Sequence, residues 1–437
     1  MVDVFTLILQ IAVIIVAARG VGILFGRIGQ PQVMGEMAAG ILLGPSLVGW
    51  VAPSASAALF PPSSLGYLNA LGQVGLIIFM FLVGLDLDPA KLKRDRHAAI
   101  LASHVSIVAP FCLATLLALY LYPRLSDDSV TFTGFALFMG AAMSITAFPV
   151  LARILTERNM QRTALGSVAL ACAAVDDVTG WCVLAYIVIV VRTHQGSRPL
   201  WVTLTGSLSF ALIMIYGVRR LLCGFERIFR KRRCLSENQI ALIVLLALLS
   251  AFLTEWLGIH VLFGSFLMGA IMPKGRAFVR YLRSKLESVA VVLLLPIFFA
   301  LTGLRTSINL VKGPTMWFSC VLIILVAIAG KLGGSMVAAR VTGMPWREAA
   351  GLGVLMNTRG LMELVILNIG FDIKLISPAV FSMMVLMALI TTFMTTPLLE
   401  WIYPAASRGQ ESAEPRVATL RASTPIDSSV GAMSRVV

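Results

Sequence analysis

Apolar runs of about twenty residues follow one another along most of the chain, separated by short polar or basic stretches. Thirteen such segments can be drawn, at roughly 4–25, 32–50, 65–85, 98–122, 130–156, 162–191, 200–218, 238–254, 258–273, 286–304, 316–341, 346–370 and 378–403. A helix of about 20 apolar residues crosses the hydrocarbon core of a bilayer. It does so because a helix satisfies its own backbone polar groups where no water can. The pattern therefore predicts an all-α polytopic membrane protein with about 13 transmembrane helices. Beyond residue 403 the apolar period stops, and 404–437, rich in Ser, Ala and Arg, is predicted to be a disordered cytoplasmic tail. The opening MVDVFTLILQ carries an acid, no basic leader and no cleavage site, so it reads as a retained helix rather than a signal peptide.

Composition agrees with the pattern. Hydrophobic residues make up 58% of the 437 and charged residues 13%, with a mean hydropathy of +0.91, far outside the range of soluble domains. The net charge is +14, and its distribution sets an orientation. Bases gather at Arg27, at Lys91, Lys93, Arg94 and Arg96, at Arg158 and Arg162, at 219–233, and at Lys274, Arg276, Arg280, Arg283 and Lys285. The alternate loops are nearly free of bases. The positive-inside rule then puts the N-terminus outside and the C-terminus in the cytoplasm of a plasma (inner) membrane. Bases scattered over several loops without interleaved aromatics argue against a nucleic-acid partner. The six cysteines show neither metal-ligand spacing nor a disulfide framework, and no cofactor motif is visible.

The chain also resembles itself. GEMAAGILLGP from Gly35 aligns with GSFLMGAIMP from Gly264, bringing Gly40 and Gly269 into step. FMFLVGL from Phe79 aligns with FFALTGL from Phe298, matching Phe79, Leu82, Gly84 and Leu85 to Phe298, Leu301, Gly303 and Leu304. The offset is seven segments. An odd offset reverses orientation, so two inverted-topology repeats are predicted, about 4–191 and 238–403, joined by a linker helix at about 200–218. Inverted repeats are typical of secondary transporters, whose ion sites sit on interrupted helices. Chance similarity between Gly- and Leu-rich segments is the plainer alternative.

Ionisable residues deep in apolar segments mark the chemistry, because each is costly in lipid. Asp176 and Asp177 are neighbours in AAVDDVTGW. Adjacent helical positions differ by about 100°, so the two cannot point the same way, though both can flank one cavity. Two carboxylates this close repel when both are ionised. One that takes up and loses a proton can, when ionised, offer oxygens to a hard cation, so proton and cation compete for the same atoms. A structural salt-bridged pair is the alternative. Lys331, mid-segment in IAGKLGGS, is a candidate partner for an aspartate, or a snorkelling lysine. Gly330, Gly333 and Gly334 would let another helix approach it. In MSITAFPVLARIL, Pro149 should break the helix near 146–148. The freed carbonyls there, with Ser144 and Thr146, would line a cavity. In NTRGLMELV, Thr358, Arg359 and Glu363 fall on the repeat partner of that segment, and Arg359 and Glu363 share a face at i, i+4. Glu36, a lone acid between the glycines at 35 and 40, lies either in the cavity or near the cytoplasmic end.

QPQVMGEMAAGILLGPSL, FMFLVGLDLD, MSITAFPVLARIL, AAVDDVTGW and NTRGLMELVIL, in this order over about residues 5–403, resemble the monovalent cation:proton antiporter family, in particular its second division of sodium/proton and plant cation/H⁺ exchangers. The resemblance implies a 13-helix fold with crossed discontinuous helices in the fifth and twelfth segments, alternating access and a homodimer in lipid. It also implies Na⁺ or K⁺ exchanged for H⁺ in pH homeostasis, with Asp177 as the cation and proton carrier and Asp176 paired with Lys331. Potassium-efflux relatives continue into a nucleotide-binding domain, and no Gly-rich βαβ pattern follows residue 403 here, so dinucleotide regulation is not expected. A cation channel lacks support from any filter-like motif. An intramembrane aspartyl protease would need its two aspartates on separate helices, so no enzyme is expected. An organic-ion/proton exporter on the same fold stays open.

Overall fold

The computed structural model describes residues 4–86, 96–127, 130–160, 163–194, 200–258 and 260–403. The bases at 91, 93, 94 and 162 and the tail 404–437 lie outside the described residues. The described residues are helical throughout, with no strand among them. In order they form α1 (Val4–Arg27), α2 (Gln32–Leu43), α3 (Pro62–Asp86), α4 (Arg96–Leu125), α5 (Phe132–Ser144), α6 (Phe148–Glu157), α7 (Ala164–His194), α8 (Leu200–Leu212) and α9 (Arg219–Arg232). The order continues with α10 (Glu237–Trp256), α11 (Val261–Ile271), α12 (Arg276–Val289), α13 (Leu295–Arg305), α14 (Gly313–Ile328), α15 (Gly334–Val341), α16 (Trp346–Met356), α17 (Leu361–Asp372) and α18 (Pro378–Ile402).

Among the described residues, eleven stretches are long and apolar enough to cross a membrane, and the bent pair α16–α17 makes a twelfth. The one expected segment left over, the ninth at 258–273, becomes the 11-residue α11, too short by itself to count. His260 caps its start, and the Met272-Pro273 pair ends it. Two stretches read as basic loops are helical instead. α8 runs through a wide π turn (Ile213–Val218) into α9, and α12 runs through another (Ala290–Leu294) into α13. The bases hid an amphipathic pattern. Leu222 and Phe229 of α9 are buried with Phe278 and Leu282 of α12, and the Phe229 and Phe278 rings meet edge-on at 5.7 Å.

The helices pack in two groups. α1–α3 and α10–α13 pack chiefly on one another, as do α4–α7 and α14–α18, with α8–α9 between them. The first group is knitted where glycines let helices touch. A Cβ on Gly303 (α13) would stand 1.9 Å from the Gly40 carbonyl carbon (α2), and one on Gly269 (α11) 2.0 Å from the Phe81 carbonyl oxygen (α3). Conversely, a Cβ on Gly40 would lie 2.2 Å from the Phe299 oxygen of α13, and one on Gly84 of α3 2.1 Å from the Phe266 oxygen of α11. The repeat pairs α2 with α11 and α3 with α13. Exchanging the partners turns the α2–α13 crossing into the α11–α3 crossing, as two inverted copies require.

The second group contains two interrupted helices. α5 ends at Ser144, and α6 begins at Phe148 with Pro149 in its first turn. Pro149 lacks an amide hydrogen and crowds the carbonyl four residues back, at Ile145, which favours a break there. α16 and α17 part at 357–360 with a bend of 43°. No proline acts there. The extended backbone is held by neighbours: Thr392 of α18 accepts the Arg359 N–H at 2.9 Å and lies 2.8 Å from its carbonyl. The two breaks meet, with the Ala147 N–H donating to the Thr358 carbonyl at 3.0 Å.

Candidate functional site

At this crossing five ionisable side chains from three stretches of chain are buried together: Asp176, Asp177, Lys331, Arg359 and Glu363. Asp176, on α7, is saturated with donors. Ser103 Oγ (α4) lies 2.7 Å from Oδ1, Ser106 Oγ 3.1 Å from the same oxygen, and Thr146 Oγ1 2.9 Å from Oδ2. Lys331 Nζ completes the set at 2.6 Å from Oδ2. Lys331 is fully buried and does not snorkel. It sits on the π turn Ala329–Gly333 between α14 and α15, an irregularity common at working positions. Gly330 and Gly334 let this turn press on Pro110 and Ala109 of α4, whereas Gly333 has open space.

Arg359 and Glu363 pair at 2.9 Å across one turn. Arg359 also donates to the carbonyls of Ala142 at 3.0 Å and Met143 at 2.5 Å, and Lys331 donates to that of Ser144. These are the free carbonyls at the C-terminus of α5, the negative end of a helix dipole, and two cations cap them. The Ser144 hydroxyl turns back to the Ala141 carbonyl at 2.9 Å and so meets neither aspartate. The Thr146 hydroxyl also lies 3.0 Å from the Met356 carbonyl of the second break, and its single hydrogen serves either that carbonyl or Asp176.

Asp177 differs from its neighbour. Its carboxylate receives the Phe148 backbone N–H at the start of α6, the positive end of a half-helix. Its Oδ1 is buried and accepts nothing from the protein. The charges at the crossing resolve accordingly. Lys331 neutralises Asp176, Arg359 neutralises Glu363, and Asp177 has no cation of its own. A buried charge without a counter-charge is strongly disfavoured, so an ionised Asp177 would stand uncompensated here.

A cavity of about 810 Å³ comes up beside the crossing at Phe148, Pro149 and Leu361, although neither aspartate lines it. It lies between the helix groups, lined by Phe148, Pro149 and Arg153 of α6, Glu36 of α2, and Asp86 and Arg283 nearer its mouth. Glu36 therefore faces the cavity, 4% exposed and 3.1 Å from Arg19 of α1. Arg153 reaches across to Gln32 of α2 at 3.0 Å. On the opposite side the groups are closed together. Asn368 of α17 bonds Thr302 of α13 at 2.9 Å, Arg305 pairs with Asp372 at 2.9 Å, and the Ser307 N–H meets the Ser382 hydroxyl at 3.0 Å. Sequence reasoning missed Ser103 and Ser106, since serine is ordinary in membrane helices. Only their i, i+3 spacing on one helix face offered a hint.

Crossed broken helices, a buried carboxylate without a counter-charge and a cavity open to one side define a multi-pass membrane ion transporter. The chain belongs to the transmembrane sodium/hydrogen exchanger family, which matches residues 11–401. It is 46% identical over 399 residues to the Na(+)/H(+) antiporter NhaS4 of a Synechocystis species, covering 91% of this chain and 97% of that protein. It is 38% identical over 406 residues to Cation/H(+) antiporter 19 of Arabidopsis thaliana, covering 92% of this chain, and it spans 50% of the length of that plant relative. Its fold is similar to the sodium proton antiporter MjNhaP1 from Methanocaldococcus jannaschii, with a TM-score of 0.65 at 15% identity over 93% of this chain and 98% of that one.

Proposed function

We propose that the protein is a secondary-active antiporter that exchanges a monovalent cation, Na⁺ or K⁺, for H⁺ by alternating access. The observation that carries the reading is the charge balance at the helix crossing. Two ion pairs cancel and Asp177 is left over, so one proton or one monovalent cation restores neutrality, and both cannot bind together. Competition for one carboxylate couples the two fluxes without further machinery. In this reading a cation arriving through the cavity displaces the proton from Asp177. The group holding the crossing then shifts against the other group and exposes the site on the far side. Asp176 and Lys331 keep the crossing assembled, and Arg359 with Glu363 fixes the second broken helix.

The loop charges support an orientation with the N-terminus outside, the cavity facing the cytoplasm, and a place in the plasma (inner) membrane. The family resemblance supports a homodimer. α1 is an apolar helix with only 22% of its most hydrophobic window buried, which suits it to lipid or to a second copy.

Reconstitution into liposomes bearing a pH gradient tests the function. Added Na⁺ or K⁺ should collapse the gradient through the wild type, read as dequenching of a pH-sensitive dye. Asp177→Asn carries neither ionisable oxygen pair nor proton and should abolish the signal while the purified protein stays monodisperse. Wild-type exchange by D177N would end this reading, and cation flux without proton movement would favour a channel.

A further inference from the structure

Besides Glu363 Oε1, which belongs to the Arg359 ion pair, three buried side-chain oxygens around the crossing have no partner among the described residues: Asp177 Oδ1, Asn357 Oδ1 and Thr358 Oγ1. Asn357 is 1% exposed and Thr358 0%. Unsatisfied buried acceptors are costly, and native proteins hold few of them. All three sit around one short piece of backbone. The Thr146 hydroxyl lies 3.0 Å from the Met356 carbonyl, the Ala147 N–H donates to the Thr358 carbonyl, and the Phe148 N–H donates to Asp177. Residues 356–358 of one break and Asp177 of α7 therefore flank the same three residues of the other break. Arg359, next along the chain, has its two terminal guanidinium nitrogens committed to Glu363 and the end of α5, while its Nε is buried without a partner among the described residues.

Alkali cations are bound by oxygens that replace their water, and a carboxylate with neutral amide and hydroxyl oxygens is a suitable set. A single carboxylate supplies the charge but too few ligands, and every Asp176 oxygen is already engaged. We propose that Asn357 Oδ1 and Thr358 Oγ1 are direct ligands of the cation held at Asp177 and set which alkali cation the protein selects. This rests on the antiporter reading and adds to it that the non-proline break contributes coordination as well as shape. A proton on Asp177 needs neither residue. The inference therefore separates cation affinity from proton affinity, since losing either oxygen weakens the first and spares the second.

The test uses the full chain in proteoliposomes with Li⁺, Na⁺, K⁺ and Rb⁺ in turn. Thr358→Val removes the hydroxyl at nearly constant volume, Thr358→Ser restores it, and Asn357→Ala removes the amide. T358V and N357A should each raise the KM for the preferred cation about tenfold, the effect of losing one ligand worth ~1.4 kcal/mol. They should also change the ratio of KM values among the four cations, with kcat at saturating cation held within about threefold, since the lost contact is to the bound ground state. T358S should behave as wild type. As a second measurement independent of transport, added cation should raise the melting temperature of the wild type and of T358S, and that increment should shrink in T358V and N357A. Unchanged KM values and ratios in both variants, or an equal melting increment in all four proteins, would overturn the inference. If D177N is inactive while N357A and T358V match wild type, only this inference falls. If D177N exchanges normally, the antiporter reading falls with it.

Discussion

Asp176 and Asp177 have the same chemistry and adjacent positions, yet their surroundings assign them different work. Asp176 meets three hydroxyls and an ammonium, whereas Asp177 meets one backbone amide and leaves an oxygen unpartnered. A rotation of about 100° between neighbours is enough to turn one toward α4 and the π turn and the other toward the start of α6. The ionisable residues of this site were legible in the sequence because charged groups are rare in apolar segments and each demands a reason. The hydroxyls of Ser103 and Ser106 were not, because a serine in a membrane helix normally bonds its own backbone. The Asp176–Lys331 contact makes a stability prediction. Lys331→Ala strands a buried carboxylate and should cost about 3–5 kcal/mol, read as a large fall in the melting temperature of the purified protein. The double variant Asp176→Asn/Lys331→Gln removes both charges, keeps hydrogen-bonding groups in place, and should recover most of that loss. A double variant no more stable than the single would show that the pair is not what holds the crossing.

Between elements, the two broken helices differ in how far the sequence foretold them. The α5–α6 break follows from Pro149. The α16–α17 break has no proline and depends on Thr392 and on Ala147 of the other break, so only the repeat and the family resemblance pointed to it. Helix extents failed for a different reason. α9 and α12 carry their bases on helices, and counting charge hid the apolar spacing beneath. The glycine crossings were visible as matched motifs, but their meaning lies in three dimensions, where Gly40 and Gly303 bring two backbones into contact. Gly303→Ala should therefore push α13 off α2 and destabilise by about 1–3 kcal/mol or more. Gly20→Ala is the control, because a Cβ there meets nothing within 4 Å and the helix gains up to ~1 kcal/mol. Thermal melts of the two variants should move in opposite directions. Equal melting would remove the close crossing as a structural requirement.

At the scale of the molecule, one face of the seam between the helix groups is open as the cavity and the other is held shut by Asn368–Thr302, Arg305–Asp372 and Ser307–Ser382. Each of these contacts joins the group that carries the aspartates to the group that does not. Exposing Asp177 on the closed side requires all three to separate, while closing the cavity requires Arg153 of α6 to move relative to Gln32 of α2. Alternating access therefore predicts that a covalent tie across the closed side stops turnover without touching the ion site. Ser307 and Ser382 are the contact to tie, the backbone N–H of the first lying 3.0 Å from the hydroxyl of the second. In a cysteine-free background, Ser307→Cys/Ser382→Cys should exchange cations normally when reduced and stop when oxidised. Each single cysteine should be indifferent to oxidant. Orientation enters the same experiment, because the positive-inside assignment puts this side outside the cell. A membrane-impermeant reductant added outside intact cells should restore exchange, and restoration only from the cytoplasmic face would reverse the orientation. Full turnover with the disulfide formed would mean that the seam need not open there, and the path of the cation would have to be sought elsewhere than between the two groups.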